Sequence, residues 1–316
     1  ILYIPIDFGG IAMPALVSHF MFADSALHDA QPYLVKAIEA APLAFRWGAQ
    51  GPDILFFHRP LTENNINRIG HRMHEERVGR MFQALTDECA RSHTPEATAY
   101  LLGYCCHYIL DRTAHPFVTY IANYRIDPLY PQLSLSAQHN LCEAELDRAL
   151  IAAAHGGNPA DYPAHMILSY DNKTAAIIGT ILSRAIWNVY GTRVPVSAVK
   201  ASMRSMIHVQ HMLHDRSGRR HSVLSWLEHR LHISGDFSSL IRPLTPLDTD
   251  CTNRSHQPWI DASTPHLRRY TDYFQILNSA QRPAAHLMES CYDAVQTGKP
   301  LPKHAFALNY MGIPER

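Results

Sequence analysis

The chain carries little charge. Lys, Arg, Asp and Glu together make up 18% of its 316 residues, and the 28 basic and 28 acidic side chains cancel. Such a balance gives no field to draw in DNA or RNA, so no nucleic-acid partner is expected. Long hydrophobic runs are also missing: no stretch approaches the roughly 18 apolar residues that span a bilayer. The apolar opening, ILYIPIDFGGIAMPALV, has no basic leader and carries Asp7 and two glycines, so it does not read as a secretory signal. Cysteine is sparse and scattered. Cys89, Cys105, Cys106, Cys142, Cys251 and Cys291 form no repeated CxxC, which points to buried, reduced thiols and a cytoplasmic location. Strand-like alternation is scarce, and there is no internal repeat.

Two things are abundant. Hydrophobic residues reach 47%, enough for a sizeable core, and there are 21 histidines. Imidazole is the commonest metal ligand and titrates nearest neutrality, yet many histidines in any chain are ordinary surface residues. Spacing has to separate the two cases.

Helical periodicity dominates. Helical stretches are expected over 14–40, 73–91, from Pro95 to about 115, from a Ser134 or Ser136 cap to about 154, and over 172–189, 196–215, 219–232 and 266–297. Residues 46–70, with Gly48, Gly51-Pro52, Pro60 and Asn64-Asn65 as breakers, read as loop. Thr94, Pro95 and Glu96 mark a helix start, and Pro116 disfavours helical geometry at His115. Residues 117–133 read as a connection. The pattern predicts an all-α, multi-helix bundle over 13–316 as one domain. Residues 1–12 read as an upstream extension, because Phe8-Gly9-Gly10-Ile11-Ala12-Met13 is what a translated ribosome-binding site before a start codon would encode.

The sharpest segment is CHYILDRTAHP, 106–116. His107, Asp111 and His115 lie at i, i+4 and i+8 and stack along one helix face. Three donors on a helix otherwise made of Leu101, Leu102, Tyr104, Ile109 and Leu110 are costly to bury unsatisfied, and a cation satisfies them together. The next helix repeats the device with His139 and Glu143, again i, i+4. One such pair alone is usually a surface hydrogen bond. Two in consecutive helices resemble the way bundles build multi-metal sites, and mixed imidazole and carboxylate donors favour zinc. Asp53, in WGAQGPDILFF, follows a Gly-Pro turn and precedes an apolar anchor that can deliver it inward; the plain alternative is a turn cap. Of His71 and His74, one is a candidate ligand.

The order of these segments resembles the zinc-dependent phospholipase C family, which includes bacterial phospholipases C, clostridial toxins and the catalytic domain of glycosylphosphatidylinositol-specific phospholipase D. The matching pieces are SHF at 18–20, GPD at 51–53, GHRMH at 70–74, HYILDRTAHP at 107–116 and HNLCE at 139–143, and they look most like an unsecreted bacterial branch. The resemblance implies a phospholipase C/nuclease-like bundle with two or three zinc ions in its core. One ion would sit on Asp53, His74 or His71, His107 and Asp111. A second would sit on His115, His139 and Glu143. A third would use His19, a bridging Asp111, and the amine and carbonyl of the mature first residue, which is Pro14 if Met13 is the initiator. The implied activity is phosphodiester cleavage by zinc-bound hydroxide, with Asp53 orienting the water or taking its proton. The substrate would be a small phosphoester or a phospholipid met in transient contact with a membrane surface.

The C-terminal half says less. His208, His211, His214, His221, His229 and His232 crowd into 208–232, where a solvated face is the plainer account than a metal site. The basic run Arg216 to Arg220 reads as a turn that could meet a phosphate or lipid headgroup, and Trp226 and Trp259 as pocket or core residues. A non-catalytic, zinc-stabilised binding protein is the alternative from another class. An HD-type phosphohydrolase is disfavoured, because His28-Asp29 and His214-Asp215 lack partners at suitable places.

Overall fold

The structure is a computed structural model that describes residues 15–315. The extension expected at residues 1–12, and the Pro14 amine, lie outside the described residues. The fold is all-α. Its helices are α1 (Leu16–Ala26), α2 (Pro32–Glu39), α3 (Pro42–Gly48), α4 (Asn65–Glu75), α5 (Val78–Ser92), α6 (Pro95–Ile121), α7 (Leu135–His155), α8 (Asn172–Tyr190), α9 (Val196–Leu213), α10 (Arg219–Leu231) and α11 (Tyr273–Thr297). Among the described residues, the only paired strands are the two-residue segments Trp259–Ile260 and Arg268–Arg269. No described helix is long and apolar enough to cross a membrane.

The described chain forms two compact units. One takes residues 19–113, 166–208 and 277–315; the other takes 15–18, 114–165 and 209–276. In the first, α5 packs on α8. The stripe Val78, Met81, Phe82, Leu85 and Cys89 on α5, and Ile178, Ile181, Leu182 and Ile186 on α8, are buried at helical spacing. Helix α6 is apolar nearly all round, and it is buried nearly all round: Tyr100, Leu101, Leu102, Tyr104, Cys105, Cys106 and Tyr108 are fully covered. Glycine lets α3 and α6 touch. A Cβ on Gly48 would lie 2.1 Å from the Tyr100 carbonyl oxygen, and one on Gly103 would lie 2.1 Å from that of Phe45.

Three expectations need correction. The segment read as loop, 46–70, holds the end of α3, a 3-10 helix over Gly51–Phe57 and the first half of α4. Asn64, taken as a breaker, is the α4 N-cap and accepts from the amides of Ile66 and Asn67. The Asn67 side-chain Nδ2 then donates to the carbonyls of Leu55, Phe56 and His58, tying α4 to the 3-10 helix. Second, the helix from Pro95 does not stop before Pro116 but runs through it to Ile121, followed by a π turn over Ala122–Ile126. A mid-helix proline costs about 3 kcal/mol. Burial of Phe117, Val118 and Ile121 opposes that cost, and Phe117 packs against Trp259 and Tyr273. Third, the stretch read as one helix over 14–40 is two, α1 and α2, parted at residues 27–31.

In the second unit α7 is the central element. Ser134 Oγ accepts from the Ala137 amide and caps it, and Gly156, at φ +63°, ends it. Asp147 on α7 is buried and accepts from the amides of Val17 (3.1 Å) and Ser18 (2.8 Å) and from Ser18 Oγ (2.7 Å). Burial raises the Asp147 pKa, opposed by the Arg242 charge and by these bonds.

Candidate metal centre

The first unit brings five of the expected donors together. His19 comes from α1, Asp53 from the 3-10 helix, His74 from α4, and His107 and Asp111 from α6. All five are buried. They fall into two overlapping triads, His19/His107/Asp111 and Asp53/His74/His107, whose ligand atoms lie within 4.8 Å of one another in each case. His19 Nε2 is 3.3 Å from Asp111 Oδ1, and its ring stacks on that of His107 with centroids 4.3 Å apart. His74 Nε2 is 2.9 Å from Asp53 Oδ1, and His107 Nε2 is 3.2 Å from Asp111 Oδ2.

The ring orientations test whether a cation fits. His74 Nδ1 lies 2.8 Å from the Gly70 carbonyl, and His107 Nδ1 lies 3.2 Å from that of Ala49. A carbonyl only accepts, so both Nδ1 atoms carry the proton and both Nε2 atoms present a lone pair in the neutral ring. Those lone pairs face carboxylate oxygens, which are also acceptors. His107 Nε2 is fully buried and makes no hydrogen bond. Two acceptors turned on each other in a dry site require a proton or a metal ion between them. The donors are nitrogen and oxygen with no sulfur, since no triad contains a cysteine, and they suit zinc. Without an ion, burial lowers the His74 pKa, but the hydrogen bond and charge of Asp53 and the charge of Asp111 outweigh it and leave the pKa raised.

His71 and His74 part company here. His74 joins a candidate triad; His71 is half-buried, lies tilted against Phe56 with ring centroids 4.5 Å apart and belongs to no triad. Burial, with the neighbouring His74, pushes the His71 pKa down to about 4 against the pull of Asp53.

Two further residues shape this site, one marked in the sequence only as part of a turn and the other not marked at all. Gly51 has φ +48°, and a Cβ there would lie 2.2 Å from His107 Cδ2. Its lack of a side chain is what admits the imidazole. Tyr310, near the C-terminus, is buried with its ring 4.9 Å from His74 and 5.7 Å from His107, and its amide donates to the His74 carbonyl.

The second unit brings together the other three donors. His115 from α6 and His139 and Glu143 from α7 form a third triad within 4.8 Å. Glu143 Oε1 lies 3.2 Å from His139 Nε2 and 3.8 Å from His115 Nε2. Glu143 also lines a cavity of about 30 Å³ with Asn140, Asp147, Gln210 and Arg242, which is room for about one water.

The sequence from His19 to Glu143 therefore contains every donor in these triads. Residues 18–190 match the family model described as zinc dependent phospholipase C, a span of more than half the chain. The chain belongs to the zinc-dependent phospholipase C family. Comparisons with curated proteins and with solved structures returned no match. Membership supports metal-dependent phosphoester hydrolysis, and zinc is the metal that the family's name carries.

The histidines of 208–232 contribute to none of the three triads. His211 and His214 meet His165, with ring centroids 4.7 and 4.3 Å apart. Burial and nearby cations lower the pKa of His165 and His214. Trp259 is buried and donates to the Thr271 carbonyl, as a core residue does, whereas Trp226 is exposed.

Proposed function

We propose that this protein is a zinc-dependent phosphodiesterase of the phospholipase C type, acting on a phosphodiester such as that of a phospholipid. The observation that carries the proposal is the opposition of imidazole lone pairs and carboxylates in a buried pocket, with His107 Nε2 as its centre. Asp53, His74, His107, Asp111 and His19 would hold zinc in the first unit, and His115, His139 and Glu143 in the second.

Zinc in such sites supplies Lewis acidity, which acidifies water and neutralises phosphoryl oxygens. The protein supplies the rest. The carbonyls of Gly70 and Ala49 fix the two imidazole tautomers, so that Nε2 is the ligating atom in each. Asp53 reaches both rings, with Oδ1 2.9 Å from His74 Nε2 and Oδ2 3.7 Å from that of His107. From there it would orient the attacking water and accept its proton at a carboxylate oxygen. Burial of the pocket strengthens each of these charges.

Turnover of a soluble chromogenic phosphodiester, abolished by chelator and restored by zinc, is the expected result. Protein that binds zinc stoichiometrically and yet cleaves no phosphoester in a panel of mono- and diesters would overturn the reading.

A further inference from the structure

Helix α10 is built inside out. Its one acidic residue, Glu228, is buried, and accepts from the amides of Phe237 and Ser238. Its large apolar residues face solvent: Val223 is 59% exposed, Trp226 61%, Leu227 41% and Leu231 66%. Positions 223, 226, 227 and 231 fall at i, i+3, i+4 and i+8, one stripe of a helix, so the exposure is organised rather than scattered. Exposed Met212 and Leu244 lie near the helix start: Arg220 donates to the Met212 carbonyl, and Leu244 Cδ1 would be 3.1 Å from a Cβ on Gly218. An exposed apolar stripe of this kind marks an interaction surface.

The charge around the stripe points to the partner. Arg219 and Arg230 project on the same side of the helix as Val223 and Trp226, and neither makes an ion pair with a described residue. No exposed acid lies on α10. An isologous contact between two copies would set these arginines against themselves. An apolar stripe with a tryptophan, edged by arginine, fits instead the boundary of a bilayer that carries anionic headgroups.

We propose that α10 is a membrane-docking element, which lays Val223, Trp226, Leu227 and Leu231 into the surface of an anionic phospholipid bilayer while Arg219 and Arg230 meet the headgroup phosphates. The choice of lipid as partner rests on the phospholipase C reading above, but the surface itself does not. Helix α10 lies outside residues 18–190, the span that the family match covers.

The test uses the full-length protein, phosphatidylcholine vesicles with and without phosphatidylglycerol, and two double variants at exposed positions: Trp226→Ser with Leu231→Ser, and Arg219→Gln with Arg230→Gln. Binding is read from the blue shift of tryptophan emission on mixing and from sedimentation. Wild type is expected to bind the anionic vesicles. The apolar variant should bind about tenfold more weakly or worse and lose the blue shift, and the arginine variant should lose the preference for anionic over neutral vesicles. Both should melt as wild type does and turn over a soluble phosphodiester unchanged. Wild type that ignores both vesicles, or an apolar variant that binds as well as wild type, overturns the proposal. So does Trp226-dependent self-association in light scattering without vesicle binding. Vesicle binding that depends on Trp226, in a protein that cleaves no phosphodiester, would sink the hydrolase reading and leave the docking surface standing. The reverse pattern would do the opposite.

Discussion

Between residues 107 and 143 the histidines alternate with carboxylates and are buried or half-buried. Between 208 and 232 they share the stretch with four arginines and are mostly exposed. The second stretch is the denser, with six histidines in 25 residues against three in 37, yet the first supplies donors to every triad and the second to none. The difference lies in burial beside a carboxylate. A carboxylate one turn from an imidazole, both held from water, gives two acceptors that need a cation between them. In the second stretch His211 also has a carboxylate four residues on, but His211 is exposed and Asp215 accepts instead from the amides of Ser217 and His221. His165 and His214 are pushed toward their neutral form by burial and nearby cations. Neither histidine count nor an i+4 carboxylate is therefore a guide to metal unless both groups are buried together.

That contrast can be broken most severely at Asp111. Asp111→Ala removes the carboxylate that meets both His19 and His107. Turnover of a soluble phosphodiester should fall by about 10³ or more, and elemental analysis should show zinc lost with it. Full activity in that variant removes the assignment.

Gly51→Ala tests the same site without touching a donor. The new methyl has no room beside His107, and the backbone at φ +48° disfavours it. Zinc affinity should drop about 10- to 100-fold, with a loss of about 1–3 kcal/mol in stability, measured by chelator competition and thermal melting. An unchanged affinity would mean that the imbedded ring does not need its present position.

On the other side of the comparison, Glu228→Gln should destabilise the second unit by about 1–3 kcal/mol, because a buried charged acceptor of two amides is weakened. Zinc content should stay the same. A variant that loses zinc as well as stability would show that α10 and the donors are not separate. The smallest effect is expected for His211→Ala with His214→Ala, which should leave zinc content unchanged, against a loss of about one equivalent in His139→Ala. Equal losses in the two would erase the distinction between the stretches.

Much of this was legible before the fold. The i, i+4 and i+8 spacing of His107, Asp111 and His115 specifies one helix face whatever the rest of the chain does, and the Thr94-Pro95-Glu96 start is local too. The errors came where long-range packing overrode local preference. Pro116 reads as a stop, yet buried Phe117 and Ile121 carry the helix past it. Asn64 reads as a breaker, yet its carbonyl oxygen caps α4 and its neighbour Asn67 ties that helix to the 3-10 turn. Trp226 reads as a pocket or core residue, yet it is exposed because Glu228, two residues on, takes the buried side of α10. Tyr310 lies some two hundred residues from His107 in sequence, and nothing in ALNYMGIP announces it.

By itself the sequence determined the α-helical class and the family and pointed to most of the candidate donors, since these are written in spacings of a few residues that helical geometry turns directly into faces. Only the tertiary structure decided that His74 rather than His71 joins a candidate triad, that the carbonyls of Gly70 and Ala49 aim the Nε2 atoms of His74 and His107 at the carboxylates, and that the apolar stripe of α10 is left uncovered by the rest of the described chain. Those outcomes depend on backbone groups and neighbours that are remote along the chain, and remote contacts are set by the packing of the whole.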